Sequence, residues 1–476
     1  MWRSIGVSAL LYCVLTTMLS SNLPVLDEES YLYIAKEMPL FRPYDWKLPW
    51  HPWSDSYVYA HPPLFLYWVR SLWWLCGEDV AWLKFFLGLP FRIMLGAAAG
   101  YLCIRFSKNP KHSFLLWLSA PIVLMVGARS LMPDLMVCAL GTLSISLFLG
   151  STRRWIWFLS GLLLGLACWT KYPALLLWIP ILYHQRQTRR LWPVFLGFIL
   201  VWGSGELWLY FLYHRMHLWV VLETATQIAR SGFAERGIGL LLRILIGAPV
   251  LMLLLRFRTW AMGGAFALVG LVFLPSLSFL GIAVSIFWIS LSLGALIFLV
   301  HKPQIFQMWA IAIIVGVWAT HNFASPRYLA LSILPIAILV GEFVGRKGYI
   351  LAGLSALLSL GIAYSESKYA DSVHQTVQKI ETSDGFFSGE WTMRWSLRQR
   401  GWRVWRGEKG SLIQAKQAAG GDTPRGLRLI ETYTSNPHYL LLLDRDRSVG
   451  YYSETLGYWP LGFRYGAMEE FRLWEP

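Results

Sequence analysis

The sequence predicts a multi-pass α-helical membrane protein of about thirteen transmembrane helices, with interfacial helices in its first outer loop and a small α/β soluble domain at its C-terminus. Three observations lead there. Of 476 residues, 56% are hydrophobic and only 14% charged, and apolar runs of about 20 residues, the length that crosses a bilayer, recur along the chain. The formal charge of +15 is gathered into short basic clusters between those runs, which places it as a topology signal and not as a nucleic-acid surface. After residue 364 the apolar runs stop and fifteen Lys and Arg nearly balance fourteen Asp and Glu. A stretch of roughly 110 residues with that balance reads as a separate domain.

In order, the apolar segments fall at 4–22, 82–104, 113–127, 132–150, 155–169, 172–183, 191–212, 237–255, 260–278, 280–300, 305–320, 328–343 and 349–364. The first begins like a signal peptide, but no small-residue cleavage site follows, so it is read as a retained span. Residues 23–81 form an outer loop too long for a turn and too apolar to be free in water. Its segments 28–38 and 62–75, the latter opened by Pro62-Pro63 and carrying Trp68, Trp73 and Trp74, predict interfacial helices that roof an outward-facing cavity.

With the N-terminus cytoplasmic, the inner loops collect Arg105, Lys108, Lys111, Arg153, Arg154, Arg186, Arg189, Arg190, Arg256, Arg258, Lys302, Arg346 and Lys347, as the positive-inside rule requires. The outer face then takes the 23–81 loop, a second loop at 213–236, and short turns around Arg129, Lys171, Pro275 and Arg327. Residues 365–476 lie outside as well. There GEWTMRWSLRQRGWRVWRG predicts a helix leading into a strand, and RGLRLIETY, HYLLLLDRD and FRYGAMEEFRLWE predict further strands. The five cysteines all precede residue 169 and include no C-x-x-C pair, which argues against a disulfide framework or a zinc knuckle.

In residues 1–364 the acids number thirteen, and only Glu206 and Glu342 fall away from the outer face. Hydrocarbon excludes carboxylates at a cost of several kcal/mol, so this segregation needs no function. The cluster Asp27, Glu28 and Glu29, at the exit of the first span, exceeds it. On the same face stand His61 before the Pro pair, Asp134 in ARSLMPDLM, Lys171 between two spans, and Arg327-Tyr328 after HNFASP. Each has a plainer role open to it: Asp27 and Asp134 as helix N-caps, His61 as an interfacial histidine, Lys171 as a snorkelling lysine, Arg327 as a head-group contact. Together they put carboxylates and cations on one surface, as a phosphate-bearing lipid and a proton acceptor would need.

In chain order, D-E-x-x-Y-x-x-I-A-K-E-M, H-P-P-L-F-L-Y-W, M-P-D-L, L-A-C-W-T-K-Y-P-A-L-L-L and P-R-Y-L-A-L-S-I-L-P resemble the landmarks of the bacterial family 39-like glycosyltransferases. That family includes the protein O-mannosyltransferases and the lipid A aminoarabinose transferase. It implies a GT-C fold from about residue 4 to 345 and a polyprenyl-phosphate sugar donor. Carried over by position, it implies Asp27 as general base, Glu28 as the acid beside it, and Asp134 as a second acid near the acceptor. His61, Lys171, Arg327 and Tyr328 fall to the donor phosphate. Relatives with a carboxylate before the position of His61 have been associated with a divalent metal, whereas this chain has Ala60; no metal site is assigned, and a divalent cation stays open as the only cofactor.

The chemistry suits those residue types independently. A sugar on a lipid monophosphate already carries a good leaving group, so the paired acids of glycoside hydrolysis are not required. One base and fixed cations for the departing phosphate suffice, and inversion at the anomeric carbon follows. The partners implied are a polyprenyl-phosphate-linked sugar, membrane lipid, and an acceptor glycan, lipid or protein, at a bacterial inner membrane, with no nucleic acid. The reading from another class is a transporter or flippase, which Glu206 among glycines in VWGSGELWLY would favour unless that carboxylate is paired inside the bundle. A non-catalytic scaffold would leave the outer acids unexplained.

Overall fold

The protein is described here by a computed structural model covering residues 1–25, 27–46, 61–77, 79–185, 191–227, 235–237, 239–240, 243, 304–321, 325–344, 347–382, 384–389, 392–419, 424, 426–444, 446, 449–452 and 461–476. The expected spans at 260–278 and 280–300, and nearly all of 237–255, lie outside these residues.

The first layer is an antiparallel pair. Helix α1 (Trp2–Met18) packs along α4 (Val80–Phe106), with Gly96 against Ala9 and Tyr12, and Gly100 against Ser8. A Cβ on Gly100 would stand 2.6 Å from that of Ser8. The G-A-A-A-G spacing on α4 is thus the small-residue face that lets two apolar helices approach closely in lipid. Asp79 caps α4 by accepting from the amides of Ala81 and Trp82 at 3.0 and 3.1 Å. Between α1 and α4 the outer loop folds into α2 (Glu28–Glu37) and α3 (Leu64–Cys76), close to the segments expected. α2 is buried over most of its length, enclosed by protein and not resting on a lipid surface.

The expected span at 113–127 is instead two helices, α5 (Pro110–Leu118) and α6 (Pro121–Ala128), bent by 59°. Pro121 accounts for the break, because it cannot donate to the preceding turn and its ring fits only at a helix start. α7 (Pro133–Gly150) and α8 (Arg154–Thr170) follow, then a 3₁₀ turn (Tyr172–Leu177) into α9 (Trp178–Gln185). Helices α10 (Trp192–Phe198) and α11 (Ser204–Tyr213) join through a π turn at Ile199–Gly203. Among the described residues α12 (His217–Gln227), α13 (Ile305–Thr320), a 3₁₀ turn at Pro326–Leu329, α14 (Ala330–Val344) and α15 (Lys347–Gln378) follow. Among the described residues four helices are long and apolar enough to cross a membrane, or five if the bent pair counts as one, besides shorter apolar helices such as α1 and α8.

α15 runs through residue 364 without a break. Its far half, with Tyr369, Val373 and Val377, packs in one core with Phe387, Leu397, Ile413 and Phe471. The C-terminal region has α16 (Thr392–Gln399), the short α17 (Lys416–Ala419) and strands β1 (Phe386–Ser388), β2 (Arg403–Val404), β3 (Leu412–Ala415), β4 (Arg428–Thr434), β5 (Pro437–Leu441), β6 (Leu443–Asp444), β7 (Val449–Gly450), β8 (Gly462–Ala467) and β9 (Glu470–Glu475). The main sheet runs β2-β1-β3-β9-β4, parallel at β1–β2 and β1–β3, antiparallel through β9. Val25 and Met125 from the bundle join that same core. The α/β region is therefore seated on the entry to α2 and on α6.

Candidate active site

The three consecutive acids of the first loop go three different ways. Asp27 stands at the N-cap of α2 but makes no capping bond. Its carboxylate accepts instead from Arg327 at 3.3 and 3.4 Å, with the side chain 37% exposed. Glu28 turns into the bundle, where Oε2 accepts from Lys84 Nζ at 2.7 Å and from the Val25 amide at 2.8 Å, both side chains being buried. Lys84 Nζ also donates to the Leu23 carbonyl at 3.2 Å. Glu29 turns the other way, to Arg398 at 2.9 Å and Arg394 at 3.6 Å on α16. An α2 fixed by two buried pairs holds Asp27 between them.

The second centre is Asp134, in the first turn of α7. Its Oδ1 accepts from Lys171 Nζ at 2.7 Å, both side chains buried. Lys171 is reached because α8 ends there: extended backbone (φ −163°, ψ 126°) separates α8 from the 3₁₀ turn that Pro173 opens. The turn before Asp134 is clamped to α4, with Ser130 donating to the Lys84 carbonyl at 2.5 Å and buried Arg92 donating to the Gly127 carbonyl at 2.9 Å.

Tyr328 joins the two centres. Lys171 Nζ lies 4.6 Å and the Arg327 guanidinium 5.3 Å from its ring centroid, and Arg327 approaches its hydroxyl at 3.4 Å. Of the residues expected at the site, Asp27, Asp134, Lys171, Arg327 and Tyr328 converge. His61 stacks beside Tyr31 with ring centroids 6.0 Å apart. Glu28 does not face the cluster: although it neighbours Asp27 in sequence, the helical turn points it at Lys84. Among the described residues no group of three or more metal-ligating side chains occurs.

Residues outside the sequence expectation complete the surroundings. Arg129 donates to Glu366 on α15 through Nε at 3.0 Å, and its Nη2 stands in ion-pair contact with the same carboxylate. Tyr452 donates to the same carboxylate at 2.7 Å, and Arg129 lies 5.0 Å from the Tyr452 ring centroid. Arg129, Asp134 and Arg327 line one narrow cleft of about 20 Å³ with Tyr451 and Tyr452, so the C-terminal region forms a wall of it. His321, at the end of α13, lies with its ring 4.2 Å from that of Tyr328. Burial and the nearby Lys171 ammonium hold its imidazole well below the usual range, at about 3. An arginine five residues before Asp134 in the same outer turn was the available signal for Arg129. Glu366 and Tyr452 carried none, because their partner lies more than two hundred residues away.

Glu206 is paired. Its Oε1 accepts from the Tyr172 hydroxyl at 2.5 Å and its Oε2 from the Leu218 amide at 3.2 Å, while Tyr172 also meets His217 Nδ1 at 2.7 Å. It therefore supplies no bundle carboxylate waiting for a solute.

No family model and no curated protein sequence matches the chain. Solved structures do. ArnT from Cupriavidus metallidurans bound to undecaprenyl phosphate superposes with a TM-score of 0.52 at 13% identity, over 86% of this chain and 92% of that one. The same protein in its apo state gives 0.39 at 15% identity, over 87% and 92%. The mycobacterial arabinofuranosyltransferase AftD gives 0.42 at 14% identity, over 99% of this chain and 40% of that one. At these identities the likeness is one of fold, carried by the first superposition.

Proposed function

We propose that this chain, which has the GT-C fold, is an integral-membrane inverting glycosyltransferase. It moves a sugar from a polyprenyl phosphate, undecaprenyl phosphate in a bacterial inner membrane, to an acceptor hydroxyl or phosphate on the extracytoplasmic face. The observation that carries the reading is the meeting of two carboxylate–cation pairs, Asp27–Arg327 and Asp134–Lys171, around Tyr328.

The two pairs divide the work by strength. Asp134 and Lys171 are buried and close, so that carboxylate fixes the ammonium in place. Asp27 is looser and half open to solvent, as a base must be if an acceptor is to reach it. The donor's anionic phosphate competes with Asp27 for Arg327, whose planar fork binds two phosphate oxygens while Lys171 adds a point charge. Asp27, released, takes the proton of the acceptor as its oxygen attacks the anomeric carbon. The bond from that carbon to the phosphate oxygen breaks, and the two cations receive the phosphate charge. The Tyr328 ring lies against both cations, and the neutral His321 adds no further charge.

The test supplies the purified protein with a panel of polyprenyl-phosphate sugars and measures release of polyprenyl phosphate. Asp27→Asn is expected to lower release by about 10²- to 10⁴-fold, the usual worth of a general base, with an unchanged melting temperature. Release at the wild-type rate would remove Asp27 from the mechanism.

A further inference from the structure

At the far end of the α1–α4 pair lies a second cavity that this chemistry does not use. α1 and α4 are antiparallel, so Lys84 beside Glu28 marks one end, and Cys103 and Ile104 beside Arg3 and Ser4 mark the other. The twenty residues from Lys84 to Ile104 rise about 30 Å in a helix, the thickness of a hydrocarbon core. The second cavity therefore sits at the opposite membrane face, the one to which the basic loops assign the cytoplasm.

Its volume is about 700 Å³, within the range of ligand sites. Val7, Leu11, Cys103 and Phe114 give it an apolar wall, and Arg3, Lys108 and Lys111 bring three cations to it. No carboxylate lines it among the described residues. Among the described residues, Glu342 stands 3.7 Å from an otherwise exposed Lys108 Nζ, while Arg3 and Lys111 have no carboxylate within ion-pair distance. Basic loop residues ordinarily mark topology and need no cavity behind them. Here they open onto an apolar groove that follows α1 from Arg3 to Leu11, about 12 Å of helix.

We propose that this cavity is a binding site for an anionic phospholipid of the facing leaflet, with its phosphate on Arg3, Lys108 and Lys111 and an acyl chain along Val7 and Leu11. Charge complementarity selects the phosphate, and the apolar wall selects a lipid over a free anion. Cationic pockets between membrane helices hold anionic head groups by this combination. Such a lipid would tie α1, α5 and α15 together, because Tyr349 of α15 closes the cavity against His112, ring centroids 4.4 Å apart.

The experiment titrates the detergent-purified full chain with phosphatidylglycerol, phosphatidylcholine or inorganic phosphate. It reads bound lipid by native mass spectrometry and stability by melting temperature. Phosphatidylglycerol is expected to bind and to raise the melting temperature, with phosphatidylcholine at least about tenfold weaker and inorganic phosphate without effect. The triple substitution Arg3→Gln, Lys108→Gln, Lys111→Gln should weaken phosphatidylglycerol by about tenfold or more, each cation contributing at a membrane surface. Val7→Trp, which fills the groove and leaves the cations, should do the same and decides the matter if the triple variant fails to fold. Equal binding of the two lipids, wild-type affinity in Val7→Trp, or protection by inorganic phosphate alone would overturn the proposal.

Discussion

Asp27 meets Arg327 at 3.3 Å with its side chain 37% exposed, whereas Glu28, the next residue, is sealed against Lys84 at 2.7 Å with none of its side chain exposed. One carboxylate is held by a single loose partner, and the other by an ammonium and a backbone amide. Under the proposed mechanism, the contrast separates a working carboxylate from a structural one on the same turn of chain. A group that must exchange partners during a reaction is left incompletely satisfied. A group that holds an element in place keeps fixed partners in a dry setting, as Glu28 Oε2 does between the Lys84 ammonium and the Val25 amide, and losing one there is expensive.

The sharpest way to break the comparison is to damage the structural pair. Glu28→Gln leaves the Lys84 ammonium buried without a counter-charge, and a loss of about 3–5 kcal/mol in stability is expected, as for other broken buried ion pairs. Replacing both partners, Glu28→Leu with Lys84→Met, should recover most of that loss, since apolar pairs of similar volume often substitute well. Denaturation in detergent measures both, and a single Glu28 variant as stable as wild type would remove the distinction drawn here.

Next in size, Arg327→Gln should leave stability nearly unchanged and raise the KM for the lipid-phosphate donor by roughly tenfold to a hundredfold, the worth of one charged hydrogen-bonding partner. A change confined to kcat would instead place Arg327 away from ground-state phosphate binding. A smaller effect is expected at the seat of the C-terminal region. Arg398→Ala removes the partly exposed member of the Glu29 cluster, and a loss of about 1 kcal/mol should appear as earlier proteolysis of residues after 378.

The last effect is in pH dependence. His321 titrates near 6.5 in an unfolded chain and at about 3 in the fold. Between those values the unfolded state binds a proton that the folded state refuses, so stability falls as pH drops below about 6.5. His321→Gln should flatten the fall in melting temperature between pH 7 and pH 5, by up to about 1.4 kcal/mol per pH unit. An unchanged slope would show that the imidazole is not held neutral.

The apolar lengths made the membrane helices legible, and the turn chemistry placed α2, α3 and the break at Lys171. Asp27, Asp134, Lys171, Arg327 and Tyr328 were legible as polar residues at the ends of apolar runs. Their pairing was not, because Asp27 and Arg327 stand 300 positions apart and charge sign alone allows several partners. The direction in which Glu28 turns was hidden for a related reason. Adjacency in sequence says nothing of direction around a helix until the partner, Lys84, is known. The bend at Pro121 was written in the sequence and obscured by the hydropathy of its flanks. Arg129, Glu366 and Tyr452 unite two regions with different compositions, which no local pattern connects.

The central claim is that Lys171 and Arg327 together receive a lipid-borne phosphate. A structure of the protein solved with undecaprenyl phosphate bound would test it most directly. The phosphate is expected within hydrogen-bonding distance of both cations, with Arg327 drawn away from Asp27. Density for the phosphate elsewhere in the bundle, with the Asp27–Arg327 pair still closed, would contradict the account.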